Sequence, residues 1–296
     1  MVVVNFHGCI LAKMKNSKEI FRKLQQQITL KEDQDEIQSI LYLIAENVLG
    51  LSRADIITEK SILITDIHQK KLSDIIKRVN VHEPIQYILG STYFYGRKFK
   101  VTSSVLIPRP ETELLIEEVL KEVDPFTPGS VLDIGTGSGC IAVTLAKELP
   151  AKRILAIDVS EDALRIGNEN AQQLNASVEF YHTNALTEKF PIQQIEILVS
   201  NPPYVSLSEK KSMKENVLAY EPHLALFVPN NDPLVFYKMI AQKGYKILTG
   251  NGKVFVEINE RFGEEVSAIF SDVGFKNIRI VKDLQGKNRI VTVSKE

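Results

Sequence analysis

The stretch that decides the fold of this chain is Val131-Leu132-Asp133-Ile134-Gly135-Thr136-Gly137-Ser138-Gly139. Its first four residues are mostly apolar and predict a strand. The glycines that follow allow a tight turn and a close approach of the backbone to a ligand. A helical pattern then runs from Cys140 to Leu149. A strand, a glycine-rich turn and a helix in this order indicate a ligand-binding α/β unit.

The same alternation continues downstream and predicts a mostly parallel sheet. The predicted strands are Val131–Ile134, Arg153–Ile157, Val178–Tyr181, Ile195–Val199 and Lys253–Ile258. The predicted helices between them are Cys140–Leu149, Glu161–Leu174 and Pro233–Leu248. The end of the chain differs, because the short spacing between Lys276–Val281 and Arg289–Val293 favours an antiparallel pair at a sheet edge.

The region upstream has a different pattern. Apolar residues recur at helical spacing between Ser17 and Val79, which predicts a small helical bundle that binds or positions a partner. Aromatic residues then surround Gly96-Arg97-Lys98 and predict a hairpin. We therefore predict an N-terminal extension over residues 1–16, a helical domain over 17–85, a hairpin linker over 86–105 and an α/β domain over 106–296. Whether Met1 or Met14 begins the natural protein stays open.

Composition and charge argue against several classes of protein. The formal net charge of −1 provides no global field for binding a polyanion, so direct nucleic-acid binding is not expected. The two cysteines, Cys9 and Cys140, cannot form a disulfide framework and favour a reducing compartment, so we predict a cytoplasmic protein. The sequence contains no membrane-spanning run, and its start does not resemble a signal peptide. The five histidines have no metal-ligand spacing, and no metal is expected.

The glycine-rich loop indicates the kind of cofactor. Its spacing is G-x-G-x-G, whereas a dinucleotide fingerprint reads G-x-G-x-x-G. Asp133 precedes the loop and would repel a pyrophosphate, but it suits a ligand that carries an ammonium group. Asp158 ends the second strand, where a carboxylate can accept hydrogen bonds from ribose hydroxyls. These features favour S-adenosylmethionine over a nicotinamide or flavin nucleotide, although each acid alone is also compatible with an ordinary loop role.

A second motif, Asn201-Pro202-Pro203-Tyr204, follows the predicted strand Ile195–Val199. Consecutive prolines stiffen the backbone and remove two N–H donors, so nearby carbonyls are free to accept hydrogen bonds. An Asn side chain beside such carbonyls fits a planar –NH2 group, in an amide or in an aminated base. The motif therefore indicates an enzyme that acts on nitrogen, and it does not by itself distinguish protein from nucleic acid.

A third motif, Pro108-Arg109-Pro110-Glu111-Thr112-Glu113, opens a predicted helix. Together with the glycine-rich loop and Asn201–Tyr204, it makes the chain resemble the protein-glutamine N5-methyltransferases of the HemK/PrmC family. The resemblance extends from Glu83 to the C-terminus. It implies a seven-stranded class I S-adenosylmethionine-dependent methyltransferase domain of Rossmann-like α/β type, with an antiparallel final strand. A small helical N-terminal domain and a linking β-hairpin precede this domain.

The resemblance also implies site residues. The cofactor-binding residues are Asp133, Gly135, Thr136, Gly137, Ser138, Gly139, Asp158, Asn184, Ala185 and Asn201. The substrate-binding residues are Pro110, Glu111, Asn201, Pro202, Pro203 and Tyr204, of which Asn201, Pro202 and Tyr204 are catalytic. Asn184-Ala185 departs from the family, which has an Asp and an aromatic residue near the adenine. A purely structural role for Arg109 and Glu111 stays open.

The implied reaction is methyl transfer to the glutamine of the Gly-Gly-Gln motif in peptide-chain release factors 1 and 2. The cofactor product is S-adenosylhomocysteine, and the enzyme is expected to be a monomer. Three alternatives remain at this point: methylation of a ribosomal-protein glutamine, methylation of a DNA or RNA amino group, and a non-catalytic binding module with the same fold.

Overall fold

The structure is a computed structural model that describes residues 2–3 and 12–296. The predicted extension over residues 1–16 therefore lies partly outside the described residues. The strands are β1 (Val2–Val3), β2 (Ala12–Asn16), β3 (Ser61–Ile64), β4 (Ser91–Phe94), β5 (Arg97–Lys100), β6 (Gly129–Ile134), β7 (Lys152–Asp158), β8 (Val178–His182), β9 (Ile195–Ser200), β10 (Val205–Ser206), β11 (Phe227–Val228), β12 (Leu248–Glu257), β13 (Lys276–Lys282) and β14 (Asn288–Ser294).

The α-helices are α1 (Ser17–Gln27), α2 (Gln34–Leu49), α3 (Arg53–Ile57), α4 (Asp66–Val79), α5 (Ile85–Leu89), α6 (Glu113–Glu122), α7 (Cys140–Glu148), α8 (Glu161–Gln173), α9 (Glu215–Tyr220), α10 (His223–Leu226), α11 (Val235–Ile247) and α12 (Gly263–Val273). Short 3₁₀-helices cover Pro110–Thr112 and Leu207–Ser212. No helix of the described chain is both long enough and apolar enough to span a membrane.

The chain divides into two compact units. The first contains the described residues up to 89 together with 215–220, and the second contains residues 90–214 and 221–296. The hairpin of β4 and β5 belongs to the second unit. The predicted boundaries of the helical domain and the hairpin linker stay predictions.

The first unit is built mainly of helices, as predicted. Gly50 ends α2 with φ of 63°, a left-handed conformation that glycine adopts without steric cost. Ser52 caps α3 and forms a reciprocal capping box with Asp55. The sequence interpretation of Ser17 to Val79 as helices alone is wrong at β3, which pairs antiparallel with β2. Four residues are too few to show a strand period, and the pairing partner lies far away in the sequence.

The second unit contains the predicted sheet of seven strands, in the order β13-β14-β12-β9-β6-β7-β8. The five strands β12, β9, β6, β7 and β8 are parallel to one another. The final strand, β14, is antiparallel to both β12 and β13. The predicted class of fold is therefore confirmed, including the antiparallel pair at the end of the chain.

The sheet is covered on both faces. Alternate residues of β6 illustrate this, because Leu132 and Ile134 join one apolar cluster while Val131 joins the other. Side chains of α11 and α12 belong to the first cluster, and side chains of α6 and α7 belong to the second. The sheet and the helices on its two faces form three layers, which hold the parallel strands rigidly with their carboxyl ends at one edge of the sheet.

The hairpin that precedes this sheet has a two-residue turn. Tyr95 and Gly96 have φ values of 48° and 70°, which match a turn whose twist fits the two flanking strands. Phe94 and Phe99 are both buried, and their rings meet edge to face at 6.1 Å between centroids. The predicted hairpin is therefore present and packs on the core of the second unit.

Candidate active site

The carboxyl ends of three neighbouring strands form one edge of a cavity of about 220 Å³. The register places Ile134 beside both Ile157 and Ser200, so the loops after β6, β7 and β9 begin side by side. The cavity brings together these predicted site residues: Gly135, Gly137, Asp158, Asn184, Ala185, Asn201, Pro202 and Pro203. Motifs that are distant in the sequence therefore surround one space.

The glycine-rich loop has the backbone that the sequence predicts. Gly135, Gly137 and Gly139 have φ values of 73°, 54° and 78°. This left-handed region favours glycine over residues with a Cβ atom. Gly139 also lies against α8, where an added Cβ would come within 3.1 Å of the Gly167 Cα. Gly135 and Gly137 line the cavity, so the loop exposes its backbone to a ligand.

Asp158 joins this loop to the cavity. One carboxylate oxygen accepts the Gly137 N–H at 2.9 Å, and the other accepts the Ser160 N–H at 2.9 Å. Burial raises the pKa of Asp158, while these backbone donors oppose the shift. Each oxygen can accept a further hydrogen bond. The side chain can therefore organise the loop and still accept hydroxyl groups from a ligand.

The other predicted loop residues lie behind the cavity and do not line it. Asp133 is fully buried, and its Oδ2 accepts the Thr136 hydroxyl at 2.7 Å. Its Oδ1 has no hydrogen-bond partner among the described residues, and burial raises the pKa of the carboxyl group to about 7. Ser138 is also buried, and its carbonyl accepts from Asn170 at 2.8 Å. Asp133, Thr136 and Ser138 therefore support the loop from beneath.

Cys140 begins α7 directly after this loop. Its thiol is buried, and burial raises its pKa to about 12. A thiol of this kind is not ionised near neutral pH and is a poor nucleophile. Cys140 is therefore a small residue packed behind the glycine-rich loop, with no catalytic role.

The loop after β8 forms another wall. The Asn184 side-chain oxygen accepts the Leu186 N–H at 3.0 Å, so the side chain stabilises its own turn. Lys243 Nζ donates to the carbonyls of Ala185, Leu186 and Glu188 at 2.5, 3.2 and 2.7 Å. The loop is therefore fixed by a lysine of α11, while Asn184 and Ala185 line the cavity. Lys243 was not predicted, because its partners are backbone atoms of a distant segment.

The Asn201–Tyr204 turn follows β9, beside the glycine-rich loop that follows β6. Asn201 Nδ2 donates to the Thr112 hydroxyl at 3.0 Å, and Thr112 donates to Glu257 at 2.6 Å. Tyr204 turns its hydroxyl to the other Glu257 oxygen at 3.2 Å. Burial and the carboxylate of Glu257 raise the Tyr204 pKa well above its usual value. The Tyr204 ring packs against the apolar cluster beneath and does not line the cavity.

The Pro108–Glu113 segment is held from one side by an ion pair whose acidic partner is buried. Arg109 Nη2 contacts Glu221 Oε1 at 2.6 Å, and the other Glu221 oxygen accepts the Ile107 N–H at 3.4 Å. The Glu221 side chain is almost completely buried. Arg109 therefore has a structural role that fixes the segment. Pro110 and Glu111 are exposed and do not line the cavity.

Two residues of this region were missed by the sequence interpretation. Thr112 lies inside the recognised Pro-Arg-Pro-Glu-Thr-Glu motif, and Glu257 ends the strand β12. An acidic residue at the carboxyl end of a parallel strand is a signal that could have identified Glu257. No comparable signal exists for Thr112, because its partner Glu257 lies 145 residues further along the chain.

Comparison with known proteins identifies the family of the chain. Residues 110–223 match the family model described as "Methyltransferase small domain", and residues 19–90 match the one described as "PrmC N-terminal domain". A release factor glutamine methyltransferase of Flavobacterium psychrophilum is 41% identical over 265 residues, which cover 88% of this chain and 93% of that protein. The protein of the same name from Bacteroides thetaiotaomicron is 42% identical and covers 88% of this chain and 94% of that protein.

A solved structure supports the fold alone. The crystal structure of a methyltransferase from Pyrococcus furiosus has a TM-score of 0.50 and 14% sequence identity, and the match covers 75% of this chain and 98% of that one. The sequence relatives carry the family assignment, since they are similar over most of the chain. The chain is an S-adenosylmethionine-dependent protein methyltransferase and belongs to the release factor glutamine methyltransferase family.

Proposed function

We propose that this enzyme transfers a methyl group from S-adenosylmethionine to the side-chain amide N5 of the glutamine in the Gly-Gly-Gln motif of release factors 1 and 2. The observation that carries the proposal is the position of Asn201 at the rim of the cavity that Asp158 and the glycine-rich loop also line. The relatives named release factor glutamine methyltransferase support the class of substrate. We place the reaction in the cytoplasm and assign it to a monomer.

The residues present fit the cofactor. Asp158 has free acceptor capacity toward the cavity and would hold the ribose hydroxyls. The backbone of Gly135 and Gly137 would contact the methionine part, while the backbone of Asn184 and Ala185 would contact the adenine. Asp133 supports this loop from behind through the Thr136 hydroxyl and does not itself line the cavity. When bound, the cofactor supplies a methyl group that its positive sulfur already activates, so the proposed chemistry needs no metal ion.

Asn201 and Pro202 would perform the positioning that an amide acceptor needs. An amide nitrogen is a poor nucleophile, because its lone pair is delocalised into the neighbouring carbonyl. In the proposed mechanism Asn201 Oδ1 and the Pro202 carbonyl accept the two amide hydrogens, which orients the nitrogen and favours positive charge developing on it. Pro203 stiffens the corner, and Tyr204 supports it from beneath through Glu257. S-adenosylhomocysteine, a methylated glutamine and one proton would be the products, with the amide nitrogen releasing the proton after the methyl transfer.

The test is transfer of a radioactive methyl group to a release factor, with a ribosomal protein and nucleic acid as competing acceptors. We expect incorporation into the release factor, and none into a release factor whose Gly-Gly-Gln glutamine is replaced by alanine. Asn201→Ala should lower turnover roughly 100-fold with little change in cofactor affinity. Asn168→Ala, on the exposed surface of α8, is the matched control.

Other results would give a different function. Label on a ribosomal-protein glutamine, or on a nucleobase amino group, would replace the proposed substrate with one of the remaining alternatives. Near wild-type turnover of Asn201→Ala with a release factor would contradict the role of the Asn201 side chain.

A further inference from the structure

Beneath Asn201 lies a hydrogen-bond network that centres on Thr112 and Glu257. Thr112 and Glu257 are each only 2% exposed, and their side chains meet at 2.6 Å. Glu257 Oε1 accepts from the Tyr204 hydroxyl, while Oε2 accepts from Thr112. The Glu257 carbonyl accepts the Tyr237 hydroxyl at 3.0 Å, which fixes the end of β12. A carboxyl group is therefore held at the base of the turn by side chains from several elements.

The hydrogens of this network determine which way the Asn201 amide faces. An ionised carboxylate only accepts hydrogen bonds, so Glu257 takes the single hydrogen of the Thr112 hydroxyl. The Thr112 oxygen can then only accept from its other neighbour. Asn201 must therefore turn Nδ2 toward Thr112, as observed at 3.0 Å, and its Oδ1 faces the other way. The flipped amide would place two oxygens against each other with no hydrogen between them.

We propose that Thr112 and Glu257 are positioning residues that hold the Asn201 amide with its oxygen, and not its NH2 group, available to the substrate. The proposal rests on the proposed function, in which Asn201 Oδ1 accepts a hydrogen from the glutamine amide. A flipped Asn201 would turn its own NH2 group toward the NH2 group of the substrate glutamine. Both groups are hydrogen-bond donors, so the glutamine nitrogen that receives the methyl group would not be oriented. The buried pair therefore selects one of two side-chain orientations that have nearly the same shape.

The charge on Glu257 supports this assignment. Burial raises the pKa of Glu257 to about 7, while the Thr112 and Tyr204 hydroxyls and Arg289 lower it and Glu111 raises it. Once protonated, Glu257 can donate to Thr112, and the Thr112 hydrogen is then free to point at an Asn201 oxygen. The orientation of Asn201 is therefore defined when Glu257 is ionised, and it is lost as the pH falls through the pKa of Glu257.

The decisive variant is Thr112→Val, which has nearly the same shape but no hydroxyl group. We expect kcat to fall roughly 5- to 150-fold, since a buried polar group loses its partner. The KM for the release factor and the affinity for S-adenosylhomocysteine should change little. Thr112→Ser keeps the hydroxyl and should restore most of kcat. The matched control is Thr144→Val, because the Thr144 hydroxyl is buried without a partner among the described residues.

A double-mutant cycle separates positioning from a general effect on the fold. In the Asn201→Ala background, Thr112→Val should cause almost no further loss, because there is no amide left to orient. A full additional loss, or equal losses for Thr112→Val and Thr112→Ser, would overturn the inference. So would wild-type kcat in Thr112→Val.

Failure of the inference can be distinguished from failure of the proposed function. If Asn201→Ala is inactive while Thr112→Val is fully active, only the positioning role is wrong. If Asn201→Ala is active on release factors, the proposed role of Asn201 is wrong and the inference falls with it. If Thr112→Val does not fold, Glu257→Gln provides the second test. This variant should have a lower kcat than the wild type, and its kcat should no longer fall when the pH is lowered through about 7. An unchanged acid limb in Glu257→Gln would contradict the inference.

Discussion

Replacement of Asp158 by alanine tests the cofactor site most directly. The Asp158 carboxylate holds the N–H groups of Gly137 and Ser160 and lines the cavity. Its remaining acceptor sites can take two ribose hydroxyls. Alanine removes both of these hydrogen bonds and leaves the two backbone donors without their partner. Asp158→Ala should therefore weaken cofactor binding and loosen the glycine-rich loop.

The magnitude follows from the number of hydrogen bonds. Hydrogen bonds to a charged group contribute roughly 1.5–3 kcal/mol each, so two of them contribute about 3–6 kcal/mol. The Gly137 and Ser160 N–H groups become free to bind the hydroxyls or water, which offsets part of the loss. We therefore expect the lower limit, about 3 kcal/mol, which corresponds to a roughly 100-fold weaker Kd.

The assay is isothermal titration calorimetry with S-adenosylhomocysteine. Because burial raises the pKa of Asp158, the titration is best carried out on the alkaline side of neutral pH, which favours the ionised carboxylate. Asp162→Ala is the control, since Asp162 lies nearby on α8 and is exposed. Asp158→Asn should also lose at least roughly tenfold, because its NH2 group must face one of two backbone donors. A Kd of Asp158→Ala within threefold of wild type would refute the ribose role.

Two further predictions concern residues outside the recognised motifs. The raised pKa of Glu257 means that the folded state binds its proton more tightly than the unfolded state, so this group lowers the stability of the fold as the pH rises from its ordinary pKa of 4.5 to about 7. Glu257→Gln should remove up to about 3 kcal/mol of that loss, measured as the change in the free energy of unfolding in urea between these two pH values. An unaltered dependence of the unfolding free energy on pH would disprove the prediction. Lys243→Met keeps an unbranched side chain one atom shorter than lysine and loses three hydrogen bonds to carbonyls. It should weaken S-adenosylhomocysteine binding roughly 3- to 10-fold and speed amide exchange at Leu186 and Thr187. Unchanged exchange would show that the loop does not depend on Lys243.

Much of the fold could be predicted from local sequence properties. The apolar runs at β6, β7 and β9 predicted buried parallel strands, and the two strands at the end of the chain were predicted as an antiparallel pair. The helix α12 was not predicted, although Val266, Ile269, Phe270 and Val273 recur at helical spacing and Gly274 ends the helix in a left-handed conformation. The strand β3 was not predicted either, because four residues are too few to show a strand period.

The candidate site was predictable to a lesser extent. The motifs identified Asp158, Gly137 and Asn201, which share one cavity in the structure. The same motifs grouped Asp133 with the ligand-binding residues, whereas the structure places it behind the loop. A motif fixes the order of residues along the chain, but it does not specify which side chains face the ligand and which face the core.

By itself, the sequence determined the strand–loop–helix unit and the stiff Asn-Pro-Pro-Tyr corner, because backbone freedom at glycine and its restriction at proline are properties of single residues. Only the tertiary structure decided that Thr112 and Glu257 lie beneath Asn201, since Thr112 is 89 residues from Asn201 and 145 from Glu257. The direction of a hydrogen bond depends on every partner around it. Such partners come together only when the sheet has brought the ends of distant strands to one edge.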